Sequence, residues 1–131
     1  MPRKLKRYYQ PQTPDTPEII LDVKKEKFSF TGESFPENVF AVYDPVMQWF
    51  KEYLAEPWEN LTVEINMPFI NSSSSRFLAD IFQLFEKQDD CERKFLINWY
   101  YDQEDEEALI EGHMMQEVCP VLTFNFIPFN S

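Results

Sequence analysis

The chain has 131 residues, with 12 Lys and Arg against 23 Asp and Glu and a net charge of −11. That length suits one domain, and a body this acidic repels nucleic acid and anionic membrane. No segment approaches the roughly 20 apolar residues of a membrane helix, and the charged start, Met-Pro-Arg-Lys-Leu-Lys-Arg, lacks the apolar run of a secretory signal.

Arg3, Lys4, Lys6 and Arg7 hold four of the twelve basic residues; the other eight against 23 acids leave −15. This tip reads as a solvated, frayed terminus, or as a contact for an anionic partner. Residues 1–17 contain Pro2, Pro11, Pro14 and Pro17 and no hydrophobic period, so they form an extended lead-in. Residues 18–131 follow as a single domain.

Glu18–Asp22 and Lys27–Thr31 are short apolar runs joined by the polar turn 23–26, which predicts an N-terminal β-hairpin ended by Gly32. Val46, Phe50, Tyr53 and Leu54 then share a helical face, with Met47 and Trp49 at its edges. Asp44 followed by Pro45 reads as an N-cap with proline at the first helical position. Residues 38–43 read as an earlier turn, and Pro57 closes the element.

Leu61, Val63, Ile65 and Met67 alternate with polar residues, predicting a strand with one apolar face. After a run of four serines, Phe77, Ile81, Leu84 and Phe85 form a helical stripe widened by Leu78 and Phe82. Residues 94–101 predict a strand rich in aromatic and aliphatic residues. Asp102, with Asp105 three residues on, predicts a capped helix over 103–116 whose acidic first turn suits the helix dipole. Residues 121–127 close the chain as a strand with Leu122, Phe124 and Phe126 on one side.

The order β-β-α-β-α-β-α-β implies parallel crossovers between the later strands. The polar alternation over 61–67 argues against burial of both sheet faces. The expected fold is a mixed α/β sheet of about five strands with helices mainly on one face.

Several chemistries find no support. Gly32 and Gly112 are the only glycines, too few for a phosphate loop or a dinucleotide fingerprint. His113 with Glu117 at i+4, or with Cys119, falls short of the three or four ligands a metal needs. The cluster Asp102, Glu104, Asp105, Glu106 and Glu107 lacks the spaced calcium-loop pattern and reads as capping and solvation. Cys91 and Cys119 form no metal-ligand spacing and suit a reduced, cytoplasmic compartment, with a bridge between them left open. Trp99, Tyr100 and Tyr101 are the best candidates for an exposed recognition patch. No cofactor and no catalytic residue is expected.

The run Ser72-Ser73-Ser74-Ser75 lies where a strand ends and a helix begins. Serine is a favoured N-cap, and one reading is capping alone, with Ser72→Ala costing about 1 kcal/mol. The other is modification: a phosphoserine carries about −1.5 to −2 charge and gains from free helix amides, and Arg76 is near enough in sequence to pair with it. The expected contact surface is the serine loop with Arg76, Asp80, Gln83 and Lys87 of the following helix.

Five segments together carry a resemblance: Thr16-Pro17-Glu18-Ile19, Gly32-Glu33-Ser34-Phe35-Pro36-Glu37-Asn38, Pro45 to Trp49, Asn71-Ser72-Ser73-Ser74 and Asn98-Trp99-Tyr100-Tyr101. The chain resembles the SiaC family of bacterial regulatory phosphoproteins, whose fold is similar to SpoIIAA (STAS) anti-sigma-factor antagonists. The resemblance implies a partner switch: a serine/threonine kinase phosphorylates the residue after the asparagine, a PP2C-type phosphatase removes the phosphate, and the unmodified form binds and activates a diguanylate cyclase. The family's threonine is Ser72 here, with Ser73 as the alternative acceptor. Asn71, Ser73, Ser74, Arg76, Asp80, Gln83 and Lys87 are then the expected partner-binding residues. The alternative is a constitutive interaction module, or an antagonist-like protein without a cyclase partner.

Overall fold

The computed structural model describes residues 5–55, 60–89 and 94–130. The elements are β1 (Tyr8–Gln10), β2 (Glu18–Asp22), β3 (Lys27–Thr31), α1 (Val39–Leu54), β4 (Asn60–Asn66), α2 (Ser72–Gln88), β5 (Lys94–Asp102), α3 (Glu106–Val118) and β6 (Thr123–Phe129). They build one mixed sheet with its strands in chain order, antiparallel from β1 to β3 and parallel from β3 to β6.

The hairpin forms as expected. Its turn is held by the Asp22 carboxylate, which accepts from the Lys25 amide at 3.1 Å, and by Glu26, which takes a left-handed conformation at φ 51. Gly32 then turns the chain at φ 115 and donates its amide to Asn66 at 3.0 Å. Only glycine adopts that backbone without strain.

Each strand from β2 to β6 sends alternate residues inward: Ile19 and Leu21, Phe28 and Phe30, Leu61 with Val63 and Ile65, Phe95 with Ile97 and Trp99, and Phe124. All three helices cover that one face. Trp49 and Tyr53 of α1 pack on Phe28, Phe85 of α2 stacks on Phe95 at 4.8 Å, and Phe82 meets Phe124 at 5.8 Å. The opposite face is polar and partly open, with Asn98 bridging Glu64 and Asn125 across three strands.

Four expectations shift. Tyr8–Gln10 add a sixth strand inside the lead-in, pairing with Ile19–Leu21. Helix α1 is capped by Asn38, whose side chain accepts from the Ala41 amide, so Pro45 lies inside the helix and Asp44 is not its cap. Trp49 is core rather than edge, 7% exposed. Helix α3 starts later than expected: Asp105 caps it by accepting from Glu107 and Ala108, while Asp102 ends β5. The predicted stop at Pro57 lies outside the described residues.

Close packing of α3 on the sheet depends on Gly112. A Cβ there would fall 2.7 Å from Trp99 Nε1 and 2.8 Å from Phe126 Cε1. Trp99 cannot move aside freely, because its indole donates to the Ala108 carbonyl at 2.9 Å. Gly112→Ala gains up to about 1 kcal/mol of helix propensity but overpacks a rigid contact at about 1–3 kcal/mol. We expect a lower urea midpoint for Gly112→Ala, with far-UV circular dichroism unchanged in water.

Candidate functional site

The serine run is positioned by two extended segments. Ser34 and Ile70 form a parallel bridge: the Ser34 amide donates to Phe69 and the Asn71 amide to Ser34, both at 2.8 Å. This brings the chain after β3 beside the chain after β4, at the carboxyl ends of the parallel strands. Helix α2 starts there.

Asn71, not a serine, is the N-cap: its side chain accepts from the Ser74 amide at 2.9 Å, and its carbonyl takes the Ser75 amide at 2.9 Å. All four serines therefore occupy the first helical turn, and they separate by direction. Ser74 is fully buried, its hydroxyl 2.9 Å from that of Ser34, which lies 2.7 Å from the Tyr43 hydroxyl. Burial pushes the Tyr43 pKa up, against the opposing effect of the two serine hydroxyls. The Ser75 hydroxyl donates to the Glu111 carboxylate of α3. Ser72 and Ser73 are exposed; Ser73 makes a long 3.4 Å contact to Asn71.

Of the residues expected at a partner surface, Ser73, Arg76, Asp80, Gln83 and Lys87 are exposed. The last four, at i, i+4, i+7 and i+11, form one outward stripe on α2. Asn71 is half-buried in its capping role, and Ser74 lies beneath the surface rather than on it. Ser72 and Arg76 share a helix face one turn apart, whereas the residue one turn after Ser73 is Phe77.

Residues that the sequence reading left out complete the site. Phe35 and Phe69, 40% and 47% exposed, meet edge to face at 5.9 Å. Phe40 is 62% exposed against Phe77, which stacks on Tyr43. Phe35 and Phe69 adjoin the Ser34–Ile70 bridge in sequence and Phe77 follows the serine run, so these rings add apolar surface near it. Phe35, Phe40 and Phe69 fall outside every hydrophobic period, and that was the available signal. Ser34, Tyr43 and Glu111 gave none, because their contacts span distant parts of the chain.

The other candidates disperse. Trp99 is 1% exposed and belongs to the core, not to a surface patch. Tyr100 and Tyr101 are half-buried and line a cavity of about 280 Å³ with Asn66, Pro68, Asp102 and Asp105. The His113 ring lies 4.2 Å from that of Phe126. Cys119 is free and buried, with its thiol pKa pushed up to about 11 by desolvation and by Glu86. Cys91 lies outside the described residues. Among the described residues no three His, Cys, Asp or Glu side chains converge as metal ligands.

Residues 10–129 match the SiaC family regulatory phosphoprotein description. The chain belongs to the SiaC family. An uncharacterized protein of Pseudomonas aeruginosa strain UCBPP-PA14 is 28% identical over 109 residues, 83% of this chain and 86% of its own. Two solved structures from Pseudomonas aeruginosa match across nearly their whole lengths. SiaC superposes with a TM-score of 0.85 at 26% identity, over 95% of this chain and 99% of its own. A chain from the crystal structure of the diguanylate cyclase SiaD in complex with its activator SiaC gives 0.86 at 26%, over 93% of this chain and 99% of its own. The family match spans β2 to β6 with the serine run between them, and the expected family and fold class hold.

The cap assignment changes the mutational expectation for Ser72. Asn71→Ala removes the side-chain acceptor of α2 and should cost about 1 kcal/mol. Ser72→Ala leaves that cap in place and should stay within about 0.5 kcal/mol of the parent. Urea unfolding of the two variants checks the order, and a larger loss from Ser72→Ala would contradict the cap geometry.

Proposed function

We propose that this chain is a non-enzymatic, cytoplasmic regulator switched by phosphorylation of Ser72, with Ser73 as the alternative acceptor. The observation that carries the reading is the sorting of the serine run: Ser74 is sealed, Ser75 is engaged by Glu111, and Ser72 and Ser73 alone face solvent. Ser72 is favoured over Ser73 because Arg76 follows it at i+4, where a guanidinium can pair with phosphate. The amides at the start of α2 add a positive helix end.

A phosphate on Ser72 enters a surface that includes Phe35, Phe40 and Phe69. A partner docking on those rings desolvates the region, and a dianion at its edge opposes docking. The unmodified form is therefore the binding form. Membership of the SiaC family supports a diguanylate cyclase as the partner, a serine/threonine kinase as the writer and a PP2C-type phosphatase as the eraser.

The test has two arms. Incubation with the cognate serine/threonine kinase and ATP should add one phosphate, mapped by mass spectrometry to Ser72 and lost in Ser72→Ala. The unmodified chain and Ser72→Ala should bind the cyclase, and the phosphorylated chain should bind at least about tenfold more weakly, as one like-charge contact can produce. Phosphate confined to Ser74 or Ser75, or equal binding of both forms, would overturn the proposal. Equal binding with Ser72 unphosphorylated in cells would favour a constitutive interaction module.

A further inference from the structure

The basic start of the chain is not a loose tip where it is described. Leu5 packs against the core, and the Trp49 indole donates to the Lys6 carbonyl at 2.8 Å. Arg7 pairs with Asp22 at 3.2 Å and lies 5.0 Å over the Tyr9 ring. Strand β1 then pairs with β2. These contacts hold residues 5–7 against the β2–β3 turn and enclose a cleft of about 520 Å³, with Leu5, Lys6 and Arg7 on one wall and Asp22 to Lys25 on the other.

The charges in this cleft are unbalanced. Asp22 is the single carboxylate among its described lining residues and is taken by Arg7. Lys6, Lys24 and Lys25 are exposed, and among the described residues no carboxylate pairs with them. Leu5 and Val23 add apolar surface to the cleft's walls. A concave site lined by one sign of charge focuses the field and concentrates counter-ions. Its volume falls within the usual range of small-ligand pockets, about 300–1,000 Å³. Lysine ammoniums hold phosphates as point charges.

We infer that this cleft binds a small polyanion with an apolar body, of the nucleotide class. The phosphates sit among Lys6, Lys24 and Lys25, and the flat apolar portion lies on Leu5 and Val23. The site is separate from the serine turn: Lys24 and Lys25 precede β3 and Ser34 follows it, so the strand lies between them. It does not depend on Ser72.

Isothermal titration of the full chain at low salt, with ATP, pyrophosphate and adenosine as probes, tests the inference. ATP should bind more tightly than pyrophosphate, and adenosine should give no heat. The double variant Lys24→Glu/Lys25→Glu, both in an exposed turn, should keep its circular dichroism spectrum and lose ATP affinity by at least about tenfold. Raising the salt should weaken ATP binding further. No ATP binding at millimolar concentration, binding indifferent to the double variant, or displacement of ATP by an equimolar poly-glutamate peptide would overturn it. The last result would mark the cleft as a docking patch for an acidic protein segment.

Discussion

The buried contact between Ser74 and Ser34 fixes the rotation of α2. A hydroxyl with no exposure needs a hydrogen-bond partner, and leaving it without one costs about 1–3 kcal/mol. Ser34 supplies that partner at 2.9 Å and is itself 2.7 Å from the Tyr43 hydroxyl of α1. Turning α2 by one residue would bury Ser73 or Ser75 in its place and break this chain of hydroxyls. The same rotation decides which serines face solvent. It also places Phe77 against Tyr43 and sends Arg76, Asp80, Gln83 and Lys87 outward. Accessibility at Ser72 is thus a consequence of burial two residues later.

The sheet fixes where that helix start can lie. Parallel pairing of β3 with β4 brings the ends of both strands to one edge, where Ser34 and Ile70 bridge. With every helix on one face, the other face needs no apolar cover and carries the Glu64–Asn98–Asn125 chain instead. Tyr100 lies beside it, and the neighbouring Glu64 carboxylate, as hydrogen-bond partner and as charge, raises its phenol pKa together with desolvation. The serine turn therefore lies at the rim between a covered and an open face.

Periodicity made the central elements legible. Leu61, Val63 and Ile65 alternate because one face of β4 is buried, and Phe77 to Phe85 repeat at helical spacing because α2 covers it. Strand β1 was not legible, since Tyr8–Gln10 owes its place to pairing with β2 and to the Trp49 indole on Lys6, both distant in sequence. Pro45 misled because proline favours the first helical turn, yet Asn38 caps the helix six residues before Asp44. Trp99 looked like surface because it adjoins two tyrosines at a strand end; strand alternation turns it inward and its neighbour Tyr100 outward. At the site, the serine run and the α2 stripe could be read locally. The sorting within the run could not, because Ser34, Tyr43 and Glu111 reach it through tertiary contacts.

A protein can act as a switch without catalysing a reaction if one modification changes its docking energy by more than thermal noise. Tenfold in affinity needs 1.4 kcal/mol, and juxtaposed like charges at an interface cost several. The serine turn meets the geometric requirement for such leverage. Phe35, Phe40 and Phe69 expose apolar surface that a docking partner would bury, and Ser72 is exposed as well. A phosphate on the sealed Ser74 would need to be desolvated whether or not a partner bound, and would strain the fold. On the proposed reading, a phosphate on the exposed Ser72 would stay hydrated in the free protein, and its cost would fall on the complex. A modification that spares the fold and penalises the partner requires both the sealed Ser74 and the open Ser72, and their spacing within one helical turn provides the two together.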